Sequence, residues 1–211
     1  MARNPGSITT YMIKLLHFGR SCKAYLRLYM DHPPDVLLDC EDCGCRLHKH
    51  GRYYRSVTTK REMLRIPIYR QYCPDCGTTV SLLPDFLVPW ARCVTWVREA
   101  AMVRRQKGFT WRQILTSTAS PSVRYSRRTL KRWRKRYEQK AASAAMRLAS
   151  QLTRAGYDGD LLGMYPEKIN PGPADTLNWL QKLLSIYCPV KPWRRGYWAF
   201  LNTRLPVAEQ L

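Results

Sequence analysis

The sequence of 211 residues has few acidic residues and no long apolar run. It contains 15 Asp and Glu against 36 Lys and Arg, which gives a formal net charge of +21. An imbalance of this size indicates a polyanionic partner, and nucleic acid is the leading one. No run of about 18 apolar residues is present, so a membrane-spanning helix is not expected. We predict a cytoplasmic, nucleoid-associated protein that does not contact a membrane.

Four of the eight cysteines form two matching motifs. The segments Cys40–Gly44 and Cys73–Gly77 both follow the pattern Cys-x-Asp-Cys-Gly. A Cys-x-x-Cys turn presents two sulfurs on one side, and two such turns complete a tetrahedron of thiolates around Zn²⁺. A site with four protein ligands has no open position, so the metal would be structural and not catalytic. The predicted ligands of one zinc ion are Cys40, Cys43, Cys73 and Cys76.

Two other interpretations of this region stay open. The four cysteines could be free or redox-active thiols, although redox motifs seldom occur as two matched turns closed by glycine. Cys45, His48 and His50 lie close enough to the first motif for one of them to replace a ligand. The simplest interpretation is that all three are bystanders.

The apolar pattern changes from alternating to helical along the chain. Leu64, Ile66 and Ile68 share one face of a predicted strand, with residues 53–57 and 78–83 as its partners. Pro67 lacks an N–H group, which predicts that this strand lies at an edge or contains a bulge. Helical spacing follows at about residues 89–105, 110–116 and 126–154. We predict an α+β protein, with a small antiparallel zinc ribbon followed by an all-α helix-turn-helix region that contains a long basic helix.

The predicted organisation has four segments. Residues 1–39 form an N-terminal segment without an assigned role, and residues 40–84 form the zinc ribbon. Residues 85–154 form the helical DNA-binding region. The C-terminal segment, residues 155–211, is a candidate contact with a partner or with another protomer.

Positive charge is concentrated in the predicted helices. Residues 92–154 contain 17 Lys and Arg against two acids, so they carry +15 of the net charge of +21. A short capped helix, a turn and a long basic helix follow one another here, as in a helix-turn-helix that places its second helix in the major groove. A solvated basic face, or one that binds any polyanion including RNA, is the alternative. The predicted nucleic-acid-binding residues are Arg104, Arg105, Arg112, Arg127, Arg128, Lys131, Arg132, Arg134 and Lys135.

These motifs resemble the N-terminal half of certain bacterial insertion-sequence transposases. In those proteins a ribbon with two Cys-x-x-Cys-Gly motifs precedes helix-turn-helix segments that bind DNA. The layout is also similar to that of small bacterial zinc-ribbon proteins. The resemblance runs from Cys40 to Leu83, includes His50 and Gly51, and continues more weakly to Tyr137. It implies a structural zinc ion and double-stranded DNA as the partner, with a second protomer or a recombination or transcription protein as further partners.

The sequence departs from the transposase pattern after the helices. Such transposases cut DNA with an Asp-Asp-Glu triad in a separate domain, and metal-assisted cleavage of this kind requires positioned carboxylates. The last 57 residues are too few for that domain, so we predict that the chain is not an enzyme. The alternative functions are a truncated transposase or nuclease, and an RNA-binding zinc-ribbon protein. The acids that follow the helices are Asp158, Asp160, Glu167, Asp175 and Glu209.

Overall fold

The computed structural model describes residues 11–18, 21–118, 123–157, 173–187, 197–205 and 210. These residues divide into two compact units. The first unit takes its residues from 1–56 and 65–84, and it contains most of the sheet. The second takes its residues from 57–64 and 85–211, and it contains all described helices except one. The α+β fold class is therefore confirmed.

The sheet has four strands in the order β1-β4-β3-β2. Their bounds are Tyr11–Leu16 for β1, His48–Thr58 for β2, Met63–Tyr72 for β3 and Thr79–Pro84 for β4. Only four residues connect β2 to β3, and a connection this short joins antiparallel neighbours. Strand β3 also pairs antiparallel with β4, from Tyr69 opposite Leu82 to Tyr72 opposite Thr79.

The sheet is mixed and not antiparallel as predicted, because β1 adds to it in parallel. Tyr11 pairs with Thr79, and the register continues to Leu16 opposite Pro84. Helix α1 (Cys22–Tyr29) follows β1 and begins at Ser21, whose hydroxyl accepts from the Ala24 N–H at 3.1 Å. The N-terminal segment, which had no assigned role, thus supplies an edge strand and a helix. A parallel neighbour is distant in sequence, so the local pattern of residues 11–16 does not reveal its partner.

Pro67 lies in β3, an interior strand, whereas the sequence predicted an edge position or a bulge. The pairing of β3 with β4 covers only Tyr69–Tyr72, so Pro67 precedes it and removes no hydrogen bond from that ladder. The Pro67 carbonyl accepts from the Tyr25 hydroxyl at 2.8 Å, which fastens α1 to the sheet. The core of this unit includes Tyr25, Ile66 and Ile68, each fully buried.

Helices dominate the second unit. Helix α3 begins with the predicted capping box: the Gln113 N–H donates to the Thr110 hydroxyl at 3.3 Å, and the Gln113 side chain accepts from the Thr110 N–H at 2.8 Å. Helix α4 begins after Ser126, whose hydroxyl accepts from the Thr129 N–H at 3.1 Å. The bounds are Thr95–Gln106 for α2, Trp111–Thr118 for α3, Arg127–Arg154 for α4, Pro173–Tyr187 for α5 and Trp198–Asn202 for α6.

One core holds these helices together. The pairs α2–α3, α2–α4 and α3–α4 are in contact, and α4 also packs along α5. Leu130, Leu148 and Leu180 are almost completely buried in this core. The contact with α5 accounts for the apolar stripe that α4 carries beyond its basic half. None of the described helices is long and apolar enough to cross a membrane.

Helix α2 begins at Thr95, whereas the sequence predicted a start near Pro89. The preceding segment is held in a loop by the Val94 N–H, which donates to the Thr58 carbonyl, and by the Thr95 N–H, which donates to the Phe86 carbonyl. The predicted range of this helix included Trp90. Instead it lies in this loop with a φ of 58° and is 82% exposed.

Candidate metal centre and nucleic-acid interface

The two Cys-x-Asp-Cys-Gly segments form turns with the same hydrogen bonds. In the first, the Gly44 N–H donates to the Cys40 carbonyl at 2.8 Å, and in the second the Gly77 N–H donates to the Cys73 carbonyl at 3.1 Å. Gly44 and Gly77 have φ angles of 74° and 73°. This left-handed conformation is open to glycine and strained for most other residues. The third position of each motif is an Asp. Because the two turns have the same geometry, their four thiols lie close together.

The four thiols form a compact cluster. The Sγ atoms of Cys40 and Cys76 are 3.4 Å apart, as are those of Cys43 and Cys73, and all four lie within 4.8 Å of one another. Zn–S bonds of about 2.3 Å in a tetrahedron place the sulfurs about 3.8 Å apart. Cys40 and Cys73 are buried, while Cys43 and Cys76 are exposed. The cluster is consistent with one structural metal ion, and four thiolates favour zinc.

Neighbouring groups prepare Cys76 to act as a ligand. Hydrogen bonds with the Thr78 side chain and backbone, and then with the Cys40 thiol, lower the pKa of Cys76 to about 6. Cys76 Sγ lies 3.2 Å from the Thr78 hydroxyl oxygen, and that hydroxyl donates to Asp42 Oδ2 of the first motif at 3.1 Å. A thiol with such a pKa is largely deprotonated at neutral pH, and the thiolate is the form that binds metal.

Cys45 and His50, two of the three alternative ligands, contact other side chains. Cys45 donates from Sγ to Asp75 Oδ2 at 2.6 Å, and this hydrogen bond, above all, raises the pKa of Cys45 to about 12. Cys45 also lies near Cys43 and Asp75 in a smaller group with metal-binding geometry. The His50 ring packs on Tyr72, with 5.1 Å between ring centroids. Among the described residues, neither His48 nor His50 belongs to a group that could hold a metal ion.

A substitution at Gly44 tests the turn geometry. Nothing lies within 4 Å of a Cβ added at Gly44, so Gly44→Ala introduces backbone strain without a steric clash. We expect Gly44→Ala to destabilise the metal-loaded protein by about 1–2 kcal/mol, the usual cost of a left-handed residue with a side chain. Gly44→Asn should cost less, since asparagine adopts this conformation more readily. Thermal midpoints measured with metal present provide the test, and equal midpoints for wild type and Gly44→Ala would contradict it.

The structure places the nine predicted nucleic-acid-binding residues on three helices that contact one another. Arg112 and the six basic residues of α4 are exposed, and Arg104 and Arg105 are half-buried near the end of α2. The α4 residues follow the solvent side of that helix, while Leu130 and Tyr137 face the core. Arg134 is paired with Glu138, one turn further along. The exposed α4 residues are Arg127, Arg128, Lys131, Arg132, Arg134 and Lys135.

Three of the nine converge on one groove. It has a volume of about 430 Å³, and its lining includes Arg105, Arg112 and Arg127 together with Trp111. The Arg105 guanidinium lies 4.9 Å from the Trp111 ring centroid and donates to the Phe109 carbonyl at 2.9 Å. These two contacts fix the Arg105 side chain, so its charge is held at the groove before any ligand arrives.

Part of the positive charge counted in the sequence does not reach the surface. Arg98 is only 4% exposed, and burial lowers its pKa to about 10. Glu99 is also buried, and its carboxylate accepts from the N–H groups of Tyr197 and Trp198, each at 3.0 Å, at the start of α6. Both residues therefore support the core of the second unit. The helical periodicity around Val97 and Ala101 could have indicated that Arg98 faces inward.

One family model matches part of the chain. A family model described as a domain of unknown function, DUF6431, matches residues 40–133. The match begins at the first cysteine of the cluster and ends at Trp133 in the basic half of α4, so it includes the four cysteines and all of the nine basic residues except Arg134 and Lys135. The comparison with curated proteins gives no match, and neither does the comparison with solved structures. The family description states no activity, and the predicted resemblance to transposases stays a prediction.

Proposed function

We propose that this protein binds double-stranded DNA through α3 and α4, and that one zinc ion orders a ribbon formed around the four cysteines. It would act in a mobile element or as a transcription regulator, in the cytoplasm and on the nucleoid. The zinc site would have a structural role only, because four thiolates leave no position for a substrate. A second protomer or a recombination or transcription protein could complete the assembly.

The arrangement of α2, α3 and α4 supports a helix-turn-helix. The three helices contact each other in pairs around Ile114 and Leu130, both fully buried. Helix α4 then exposes its first turns, which begin at the Ser126 cap and carry Arg127, Arg128 and Lys131. A helix in this position can enter the major groove, where arginine and lysine recognise guanine and the backbone phosphates.

The groove between Arg105, Arg112 and Arg127 is the observation that carries the proposal. Arg105, Arg112 and Arg127, from three different helices, line one depression, so one anion bound there would contact all three helices. A solvated basic face would not require this convergence or the fixed position of Arg105 on Trp111. A backbone phosphate fits the groove, and contacts of this kind set the position of a reading helix on the duplex.

The proposal does not include catalysis. Asp158, Asp160, Glu167 and Glu209 lie outside the described residues. Asp175 is in the first turn of α5. A truncated transposase or nuclease would need several of these carboxylates to bind metal ions together. The proposed protein binds DNA and leaves cleavage, if any, to a partner.

A direct competition tests the choice of nucleic acid. A labelled 20-base-pair duplex bound to the zinc-loaded protein is challenged with unlabelled duplex or with a structured RNA hairpin that has the same number of phosphates. We expect the duplex to displace the label at about one tenth of the RNA concentration or less, since the major groove of RNA is too narrow for a helix. An RNA that competes better than the duplex would favour the RNA-binding alternative and reject the proposal.

A further inference from the structure

A cavity in the first unit lies apart from the four cysteines and from the basic helices. Its volume is about 240 Å³, and it opens beside β2 near the end of α1. Its polar lining contains three basic side chains, one acid, one phenol and one amide. These residues are Lys49, Arg52, Arg70, Asp31, Tyr69 and Gln71.

Gln71 gives this cavity an acceptor without a partner. The side chain is only 3% exposed, and its Nε2 donates to the Val36 carbonyl at 2.7 Å. That bond fixes the amide orientation and leaves Oε1 buried without a hydrogen bond among the described residues. Arg70 Nε is a buried donor that likewise has no partner there. Unpaired buried groups destabilise the fold, and a ligand with matching groups would remove that cost.

The basic side chains are held in position by the protein. Arg52 donates from Nη1 to the Met30 carbonyl at 2.5 Å and to the Tyr69 hydroxyl at 3.2 Å. The Arg70 guanidinium lies 5.9 Å from the Tyr53 ring centroid. Lys49 makes one ion pair, 3.6 Å from Asp35, and both partners are exposed enough for water to weaken it. Each cation therefore retains donors for an anionic ligand.

A nucleotide has the groups that this site lacks. Its phosphate suits the three cations, and every base carries an N–H donor that could reach Gln71 Oε1. Tyr53, 40% exposed on β2, offers a ring on which a neighbouring base could stack. We propose that this cavity binds one nucleotide, either free or within an unpaired strand.

The charge distribution agrees with a second anion site on the hairpin of β2 and β3. Residues 48–72 contain seven Lys and Arg against one acid. Together with residues 92–154 they account for the entire net charge of +21, because the rest of the chain is balanced. Binding of DNA by the helices alone would not account for the positive charge on this hairpin. Interleaved basic and aromatic residues are typical of surfaces that bind single-stranded nucleic acid.

Two double variants with equal charge changes test the site. Lys49→Met/Arg70→Met removes two cations of the cavity. The control, Lys60→Met/Arg65→Met, removes two exposed cations of the same hairpin that do not line it. The probe is a ten-residue oligothymidylate with one 5-iodouracil, crosslinked by light to the full-length, zinc-loaded protein. We expect crosslinks to residues 48–72 to fall about tenfold in the cavity variant, the loss of one or two charge-assisted hydrogen bonds, and less than twofold in the control.

The outcomes separate this site from the proposed binding of duplex DNA. Metal content and thermal midpoint show whether each variant is folded. If the double variant of the cavity does not fold, Lys49→Met alone is crosslinked in its place. Both double variants remove two positive charges, so affinity for duplex DNA should fall equally in both, whether or not the cavity binds a nucleotide. Competition by thymidine monophosphate would identify a free nucleotide as the ligand, and competition by oligothymidylate alone would identify a strand. Crosslinks confined to residues 104–135, or equal losses in the cavity variant and the control, would overturn the inference.

Discussion

Replacing Cys73 by serine should release the metal ion and unfold the first unit. Cys73 is fully buried, and its Sγ lies 3.4 Å from that of Cys43 across the cluster. Serine cannot supply a thiolate, so the site keeps three ligands and the buried position gains an unpaired hydroxyl. In small zinc domains the metal contributes about 10–16 kcal/mol to folding, so little bound metal should remain. We expect metal content, measured by mass spectrometry under native conditions, to fall from one ion per chain to nearly none.

Cys45→Ser is the matched control for this prediction. Cys45 lies two residues after Cys43, but its thiol donates to Asp75 and is outside the group of four. The variant should retain one metal ion and a thermal midpoint close to that of the wild type. Metal loss in Cys45→Ser with retention in Cys73→Ser would move the site to the smaller group of Cys43, Cys45 and Asp75.

Removing two charges from the first turns of α4 should weaken binding of duplex DNA strongly. Arg128 and Lys131 are exposed on α4. If both contact phosphates, Arg128→Met/Lys131→Met should lower the affinity about tenfold to a hundredfold near 0.1 M salt. The slope of log affinity against log salt concentration should become smaller by about two, since each lost phosphate contact changes it by about 0.9.

The second half of α4 supplies the control for the charge change itself. Arg147→Met/Arg154→Met also removes two exposed charges from the same helix, but beyond the half that packs with α3. Helix α4 has 28 residues and is about 42 Å long, so these positions lie far from its first turn. Affinity should fall less than threefold in this variant. Equal losses in the two variants would show a diffuse charge effect and contradict docking through the first turns of α4.

Features with a local cause could be predicted from the sequence. The repeated Cys-x-Asp-Cys-Gly pattern indicated which four thiols come together, because each turn is closed by its own glycine. The caps at Thr110 and Ser126 fixed the starts of α3 and α4 to within one residue, since each cap bonds an N–H only three residues away. The α+β class followed from the change in apolar spacing after Pro84.

Features that depend on distant partners could not be predicted in this way. Strand β1 pairs with β4 across more than 60 residues, and no local pattern specifies that partner. The start of α2 is set by Thr58 and Phe86, whose carbonyls hold the preceding loop, so the helical spacing near Pro89 was misleading. The cavity beside β2 is lined by the segment after α1 and by three strands, and the unpaired Gln71 acceptor becomes visible only when its burial is known.

The dependence of duplex affinity on salt is the most direct test of the central proposal. A 20-base-pair duplex is titrated with the zinc-loaded, full-length protein at several salt concentrations between about 50 and 200 mM. If six or more of the exposed basic residues contact phosphates, affinity should fall by about a thousandfold over this range, with a log–log slope steeper than about −5. An affinity that hardly changes over the same range would contradict the binding of DNA through the basic helices.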